Sequence, residues 1–351
     1  MNVLDNLSLL EELLMAPAPS GFERLAAKVF AREAATFAEV TRDHYGNTYA
    51  TINPDGPQRV LLVGHIDEIG VMVSYVDDKG LISFKALGGW DSQVLVGQRV
   101  RLLAADGDLI AVVGKKPIHH MTGEERDKVS KISDLWLDTG LEAGDARRRV
   151  PIGTVGVIEA PFVRVGEHRV ISKALDDRVG AFAVLEALRT LQASDCRHRV
   201  TAVATAQEEI GSLGARLAAV RERPTVTIAV DVGFETGQPG ADVKSVGEAP
   251  FGSGAILSVS ALVNPLVLRR LQDAASSRQI PTVLTADPRR TGTDLDELTL
   301  AGDGAPGAVV SIPCRYMHSP SEMVDLRDVQ AVVDVLAGFV LDLPDDEDFV
   351  R

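Results

Sequence analysis

The chain has 351 residues, a formal net charge of −14 and only two cysteines. Its length allows one large domain or two ordinary ones, and its abundant Gly and small or branched apolar residues suit an α/β protein. The negative charge argues against a nucleic-acid partner, because affinity for phosphates depends on clustered Lys and Arg. There is no disulfide framework, no resemblance to a signal peptide and no apolar run near the ~20 residues of a membrane helix. We therefore expect a cytoplasmic protein without a membrane partner.

The first part of the chain alternates between helix and strand signals. In APAPSGFE, Ser20 and Glu23 have the spacing of a capping box and predict a helix that runs to about residue 37. Strand-like sequence then covers residues 40–52, and residues 59–64 form a short apolar strand. That strand ends in the motif HIDEIG, where polar side chains interrupt an otherwise apolar run.

The pattern changes over residues 71–162. Short alternating segments are separated by turns such as DDKG, LGGWD and AADGD, with little helical periodicity. We interpret this stretch as a mostly β domain inserted into a discontinuous domain formed by residues 1–70 and 163–351. Because the insertion carries no evident catalytic residue, we expect it to provide contacts for oligomerisation.

The rest of the chain alternates strands and helices in the manner of an α/β protein. The acidic final segment PDDEDFVR is predicted to fray. The predicted helices cover residues 177–191, 212–220, 266–277 and 326–341, and the predicted strands cover residues 199–206, 225–230 and 308–312.

Acidic and imidazole side chains follow four of the predicted strands. In open α/β sheets, ligands bind at the carboxyl ends of the strands. Acids and histidines at these ends, with no matching set of basic residues, indicate a cation site. The residues concerned are His65 and Asp67, Asp176 at the start of a helix, Glu208 and Glu209, Asp231, and His318.

Two histidines and at least three carboxylates are enough to hold two divalent ions. Each ion would take one histidine, one carboxylate and a share of a bridging Asp, with room left for water. One carboxylate must stay off the metals to move the proton of that water. The pair Glu208–Glu209 offers both roles, because adjacent residues on extended backbone face opposite ways. In HID, Asp67 shares a face with His65 and can orient its ring.

Each of these residues also has an ordinary explanation. His65 taken alone is a common strand-end histidine, and Glu208–Glu209 is a common solvated start of a helix. Asp176 before a helix is a common N-cap. Only their joint occurrence at successive strand ends favours a metal site.

A series of short motifs resembles one known family. HIDEIG, ALGGWD, GQRV, SKALDDRVG, EEIG, AVDV, GTD and RYMHSPSEMV occur in this order. In this set, and above all in KALDDR and RYMHSP, the chain resembles the tetrahedral (TET) or glutamyl-aminopeptidase family, metallopeptidase family 42. The resemblance spans nearly the whole chain. It implies an α/β/α catalytic domain of the dinuclear zinc aminopeptidase type with an inserted, mostly β, PDZ-like assembly domain.

The resemblance also implies roles for single residues. Asp176, rather than Asp177, would bridge two ions of zinc or cobalt, with manganese as a third candidate. Glu208 would be the general base and acid, and Asp67 would orient His65. The chain would remove N-terminal residues from short or unfolded peptides, as dimers assembled into a hollow tetrahedral dodecamer. One ion would be held by His65, Asp176 and Asp231, and the other by Asp176, Glu209 and His318.

Other functions stay open at this point. A related deacylase or carboxypeptidase would use the same metals, and paired carboxylates also serve glycan hydrolases, although few aromatic residues are present to stack on sugars. A non-catalytic assembly scaffold would hold structural ions, but such sites are usually filled by four protein ligands, often Cys. Leu295 stands where family members commonly have a small residue, and the loop of residues 233–250 lies near the expected site. The preferred substrate side chain is therefore left open.

Overall fold

The computed structural model describes residues 2–350. Their strands form a large mixed sheet and a separate, closed barrel of six strands. Within the described residues, the helices are all too short or too polar to cross a membrane.

The helices fall before, within and after residues 70–158, which form the barrel and are called the barrel segment below. Short 3₁₀ turns cover Val3–Asn6, Ile118–His120 and Ile132–Asp134. The α-helices are α1 (Leu7–Met15), α2 (Arg24–Ala34), α3 (Ser92–Leu95), α4 (Gly123–Arg126), α5 (Ala143–Arg149), α6 (Leu175–Gln192), α7 (Leu213–Glu222), α8 (Val243–Val246), α9 (Pro265–Ser277), α10 (Leu295–Leu298) and α11 (Leu326–Leu341).

The strands divide between the two sheets by their position in the chain. The barrel takes its six strands from one continuous stretch, β4 to β9. The strands are β1 (Glu39–Arg42), β2 (Thr48–Ile52), β3 (Arg59–His65), β4 (Gly70–Val76), β5 (Ile82–Leu87), β6 (Arg99–Leu102), β7 (Leu109–Gly114), β8 (Trp136–Asp138), β9 (Val155–Ile158), β10 (Val163–Val165), β11 (Arg169–Ser172), β12 (Arg199–Thr205), β13 (Val226–Phe234), β14 (Ala255–Ser260), β15 (Thr282–Asp287), β16 (Gly307–Arg315) and β17 (Glu322–Asp325).

The centre of the large sheet is parallel. Its path runs β1-β2-β12-β3-β13-β16-β17-β11-β10, and β12, β3, β13 and β16 run in the same direction. These four strands are almost wholly buried, as expected where helices cover a parallel sheet. Helix α6 packs against β3, β12 and β13, and α11 packs against α6 and β16. The predicted α/β fold class is confirmed.

The barrel has an apolar core of its own. Its strands follow the closed order β4-β5-β8-β7-β6-β9, and their inward side chains form a cluster separate from the core of the large sheet. The strand before the barrel, β3, and the strand after it, β10, both belong to the large sheet. The chain therefore leaves the large sheet once, completes the barrel, and returns.

The predicted capping box does not exist. Helix α2 begins at Arg24, and no side chain caps its first turn. The Ser20 hydroxyl instead donates to Asp67 Oδ2 at 2.7 Å, and Glu23 Oε1 accepts the Gly21 N–H at 2.5 Å. The prediction was wrong because both side chains are used in the loop before the helix.

The acidic final segment is docked rather than frayed. Phe349 is buried in the main core with 4% of its surface exposed. Gln58 Nε2 donates to the Asp345 carbonyl at 2.9 Å, and Asn264 Nδ2 donates to the Phe349 carbonyl at 2.7 Å. The expectation of fraying was wrong, because one aromatic side chain and two side-chain amides hold the segment against the body.

Strand β3 and helix α6 approach each other closely at Gly64. A Cβ placed there would lie 2.5 Å from Ala181 N and 2.6 Å from Gly180 C. We predict that Gly64→Ala lowers the free energy of unfolding by about 1–3 kcal/mol, since overpacking forces the backbone apart. Chemical denaturation measures this change. Gly123→Ala is the control, because a Cβ there meets nothing within 4 Å; equal stability of both variants would contradict the close approach.

Candidate metal centre

The parallel strands bring the predicted ligands to one edge of the sheet. His65 ends β3 in register with Thr205, the last residue of β12, and Asp231 of β13 lies opposite Ser311 of β16. The edge opens into a cavity of about 570 Å³. Among the side chains that line this cavity are His65, Asp176, Glu208, Glu209, Asp231 and His318. Asp67 lies behind them, fully buried.

Asp176 turns one carboxylate oxygen toward each histidine. Its Oδ1 lies 3.1 Å from His65 Nε2, and its Oδ2 lies 3.1 Å from His318 Nε2. Glu209 Oε2 approaches the same His318 nitrogen at 3.4 Å. This is the arrangement expected of a carboxylate shared between two ions.

Asp177 competes with Asp176 for that role on proximity alone. Ligand atoms of His65, Asp177 and Asp231 lie within 4.8 Å of one another, as do those of His65, Asp176 and Glu209. Asp177 Oδ2 accepts the backbone N–H of His65 at 3.2 Å, whereas its Oδ1 is buried and has no hydrogen-bond partner among the described residues. Asp176 differs from Asp177 in that it contacts both rings, so it is the better candidate for a shared carboxylate.

An oxygen lies near the far nitrogen of each histidine ring. His318 Nδ1 lies 2.8 Å from the carbonyl oxygen of Gly89, and His65 Nδ1 lies 3.3 Å from Asp67 Oδ1, a charge contact that falls outside hydrogen-bond geometry. When Nδ1 donates to an oxygen, Nε2 keeps the lone pair that binds a metal. Both rings are therefore oriented with Nε2 toward the cavity.

Asp67 does more than orient one ring. Its oxygens also accept the Ser20 hydroxyl at 2.7 Å, the Glu208 N–H at 3.0 Å and the Glu209 N–H at 3.2 Å. A single buried carboxylate thus fixes His65 and the backbone that carries both glutamates.

Burial and mutual repulsion perturb the ionisation of the whole cluster. Burial, followed by the nearby Asp231 carboxylate, raises the pKa of Glu208 to about 9. Although burial opposes a charged ring, hydrogen bonding to Asp176 raises the pKa of His318 to about 11 and that of His65 well above its ordinary value. Burial also raises the pKa of Asp231 well above its ordinary value. The cluster holds more carboxylates than its two rings can neutralise.

The residues fit divalent cations. Glu209 Oε1 is buried and has no hydrogen-bond partner among the described residues. A buried acceptor without a donor is costly, and a cation satisfies it. A donor set of imidazole nitrogens and carboxylate oxygens without thiolates suits zinc, cobalt or manganese in an open, water-accessible site.

Sequence reasoning missed several residues that support this centre. Ser20 and Gly89 contact it from distant loops, and Gly89 does so through its carbonyl, so no side-chain pattern could reveal it. Asp294 accepts the Thr205 hydroxyl at 2.5 Å, and burial raises the pKa of Asp294 to about 6. Glu322 contacts the backbone of two proposed ligands. The motifs GTD and RYMHSPSE contain Asp294 and Glu322, but give no sign of these contacts.

An α/β fold with carboxylates and imidazoles at the carboxyl ends of parallel strands is typical of metal-dependent hydrolases. The model of the M42 glutamyl aminopeptidase family matches residues 46–335. The chain belongs to this family and is an aminopeptidase, a hydrolase of peptide bonds. The resemblance seen in the motifs is confirmed, and the deacylase, carboxypeptidase, glycan-hydrolase and scaffold alternatives give way to it.

Relatives and solved structures agree with this family. The chain is 33% identical over 341 residues to a lysyl aminopeptidase of Pyrococcus furiosus, covering 95% of this chain and 96% of the relative. It is similar to a TET aminopeptidase from a marine sediment Thaumarchaeota archaeon, with a TM-score of 0.93, 30% identity and 98% of each chain covered. It is also similar to the TET1 peptidase of Pyrococcus horikoshii, which can assemble into a tetrahedron or a large octahedral shell. That match has a TM-score of 0.86 and 27% identity, and covers 96% of this chain and 99% of the other.

Metal removal should destabilise the protein. Ions that bind only the folded state stabilise it by mass action, by about 2.7 kcal/mol per site when the free ion is at 100 times its Kd. We therefore predict that chelation lowers Tm and that excess zinc or cobalt restores it, as measured by scanning calorimetry. An unchanged Tm, after elemental analysis has shown that the chelator removed the metal, would contradict the fit of the cluster to cations.

Proposed function

We propose that this aminopeptidase is dinuclear, with Asp176 as the bridging ligand. The observation that carries the proposal is the position of Asp176, which directs one oxygen to His65 and the other to His318 at equal distances of 3.1 Å. His65 and Asp231 complete the first set of ligands, and Glu209 and His318 complete the second. Zinc or cobalt is the preferred metal, and manganese fits the same donors.

Glu208 is the proposed general base and acid. When bound, a pair of divalent ions supplies an acidified water and polarises the substrate carbonyl. Glu208 lines the cavity, but its Oε2 lies 3.9 Å from His65 Nε2 and its Oε1 accepts the Ser212 hydroxyl at 3.1 Å. It belongs to neither set of ligands. Once bound cations offset the burial that raises its pKa in the metal-free protein, its carboxylate is free to take the proton of the water and pass it to the leaving amine.

Asp67 acts through other residues rather than on the substrate. It holds the His65 ring and the backbone N–H groups of Glu208 and Glu209. Substrate enters through the cavity, which is lined beyond the proposed ligands by small hydroxyl side chains such as Ser258 and Thr285 and by charged side chains such as Asp287 and Arg290.

The adjacent glutamates should respond differently to the same change. Glu208→Gln should lower kcat by roughly 10²–10⁴-fold and leave the metal content intact, because it removes a proton carrier. Glu209→Gln should lower the occupancy of one metal, because it weakens a ligand. Elemental analysis and peptide hydrolysis on the same samples separate the two effects. Equal metal loss in both variants, with unchanged activity per bound ion, would contradict this division of roles.

We also propose that residues 71–162 form an assembly domain inserted into the catalytic domain of residues 1–70 and 163–351. The barrel segment exposes apolar side chains, including Ile118 at 58%, Val129 at 61% and Ile152 at 73%. Exposed apolar side chains favour contact with other protein surfaces. Twelve chains arranged as a hollow tetrahedron would enclose the active sites and admit only short or unfolded peptides in the cytoplasm. The related TET1 peptidase that can form a tetrahedron supports this state.

Charge placed on the barrel segment should dissociate the assembly. The double variant Ile118→Asp/Val129→Asp should yield smaller particles by light scattering, because it buries charge in the proposed contacts. Leu300→Asp is the control, since Leu300 is 62% exposed but lies outside residues 71–162. A stable monomer of the unmodified protein at micromolar concentration, with metal present, would contradict the proposal outright.

A further inference from the structure

Two of the proposed ligands, Asp176 and His318, have backbone dihedral angles that are not those of a regular helix, and neither residue lies in a strand. His318 follows the end of β16 at Arg315 and has a φ of 59°, in the left-handed region. Asp176 lies at the start of α6 with non-helical angles of φ −73° and ψ 110°, two residues after Ala174 at a φ of 56°. Non-glycine residues in the left-handed region persist only where their surroundings hold them. The backbone N–H groups of Asp176 and His318 therefore need partners outside a helix or a strand ladder.

One side chain supplies both partners. Glu322 Oε1 accepts the His318 N–H at 2.8 Å, and Glu322 Oε2 accepts the Asp176 N–H at 3.0 Å. Only 2% of the surface of Glu322 is exposed, so water does not compete for these bonds.

The position of Glu322 in the sheet explains how it reaches both segments. It is the first residue of β17, which pairs with β11 on one side and β16 on the other. Strand β11 leads into Asp176, and β16 leads into His318. Glu322 itself is in register with Ser172, the last residue of β11. Glu322 therefore lies between the ends of β11 and β16, the two strands that precede Asp176 and His318 in the chain.

We infer that Glu322 is a positioning residue that sets the distance between Asp176 and His318, and hence the affinity of the ion they share. It acts on the backbone of both residues, and the resulting approach of Asp176 Oδ2 to His318 Nε2 is 3.1 Å. Groups that orient metal ligands typically change metal affinity by about 10–100-fold when they are mutated. This inference rests on the proposed pair of metal ions.

The chemistry of the side chain makes the inference testable. A carboxylate has two acceptor oxygens in a planar fork, whereas an amide has one oxygen and one NH₂ donor. In Glu322→Gln, one of the two backbone N–H groups would face a donor. The ligand sets themselves would keep every side chain.

The experiment is a titration of the full-length, metal-free protein with cobalt. Binding is measured by titration calorimetry and by the visible absorption of bound cobalt. The wild-type protein should bind two equivalents per chain. Glu322→Gln should bind one of them about 10–100-fold more weakly, with an altered cobalt spectrum. Wild-type affinity for both ions in Glu322→Gln would overturn the inference and leave the dinuclear centre standing. A wild-type protein that binds no cobalt would overturn both.

Asp328 provides a matched control. It is a buried carboxylate whose two oxygens accept the N–H groups of Gly252 and Gly254, both at 2.8 Å, and it contacts no proposed ligand. Asp328→Asn should lower Tm as Glu322→Gln does but leave cobalt affinity unchanged. Equal losses of cobalt affinity in the two variants would show a general loss of stability and overturn the inference.

A second variant covers the case in which Glu322→Gln does not fold. Glu322→Asp keeps the charge but is one methylene shorter, so it reaches one of the two N–H groups. It should bind one of the two cobalt ions with an affinity below that of wild type. Affinity equal to wild type for both ions would again overturn the inference.

Discussion

The burial of negative charge at the edge of the sheet is the constraint on which the rest of the site depends. Carboxylates gather around two imidazole rings, most of them with little exposed surface, and an unpaired buried charge is very costly. Protons or cations must supply the missing positive charge, and the raised pKa of Glu208 shows the demand. Divalent ions would meet this demand with few bound particles, because each supplies two positive charges. The carboxylates concerned are Asp67, Asp176, Asp177, Glu208, Glu209, Asp231, Asp294 and Glu322.

Among these carboxylates, Asp177 accepts the backbone N–H of His65, and Asp67 and Glu322 each accept two backbone N–H groups. Asp67 holds the His65 ring and the N–H groups of Glu208 and Glu209. Glu322 holds the N–H groups of Asp176 and His318. Every proposed ligand except Asp231 is thus fixed by one of two buried acids. Asp231 needs no such support, because it lies within β13 and is held by the ladder to β16.

The proposed ligands could be singled out from the sequence because their signal is local. A polar residue that ends an apolar strand is visible in a single segment, and parallel strands bring such ends together. The supporting contacts are not local. Ser20 reaches Asp67 across 47 positions, and the spacing of Ser20 to Glu23 suggested a helix cap instead. The burial of Phe349 likewise depends on distant partners, so an acidic composition alone gave the wrong expectation of a frayed end.

The contact between Gly89 and His318 joins the barrel segment to the chemistry. Gly89 lies in the loop between β5 and α3, within the barrel segment, and its carbonyl accepts His318 Nδ1 at 2.8 Å across 229 positions. The neighbouring Gly88, with a φ of 81°, brings the loop so close that a Cβ would lie 3.3 Å from Glu209 Oε2. A residue with a side chain would be strained there and would press on the ligands. The barrel segment therefore contacts the ring of one proposed ligand directly.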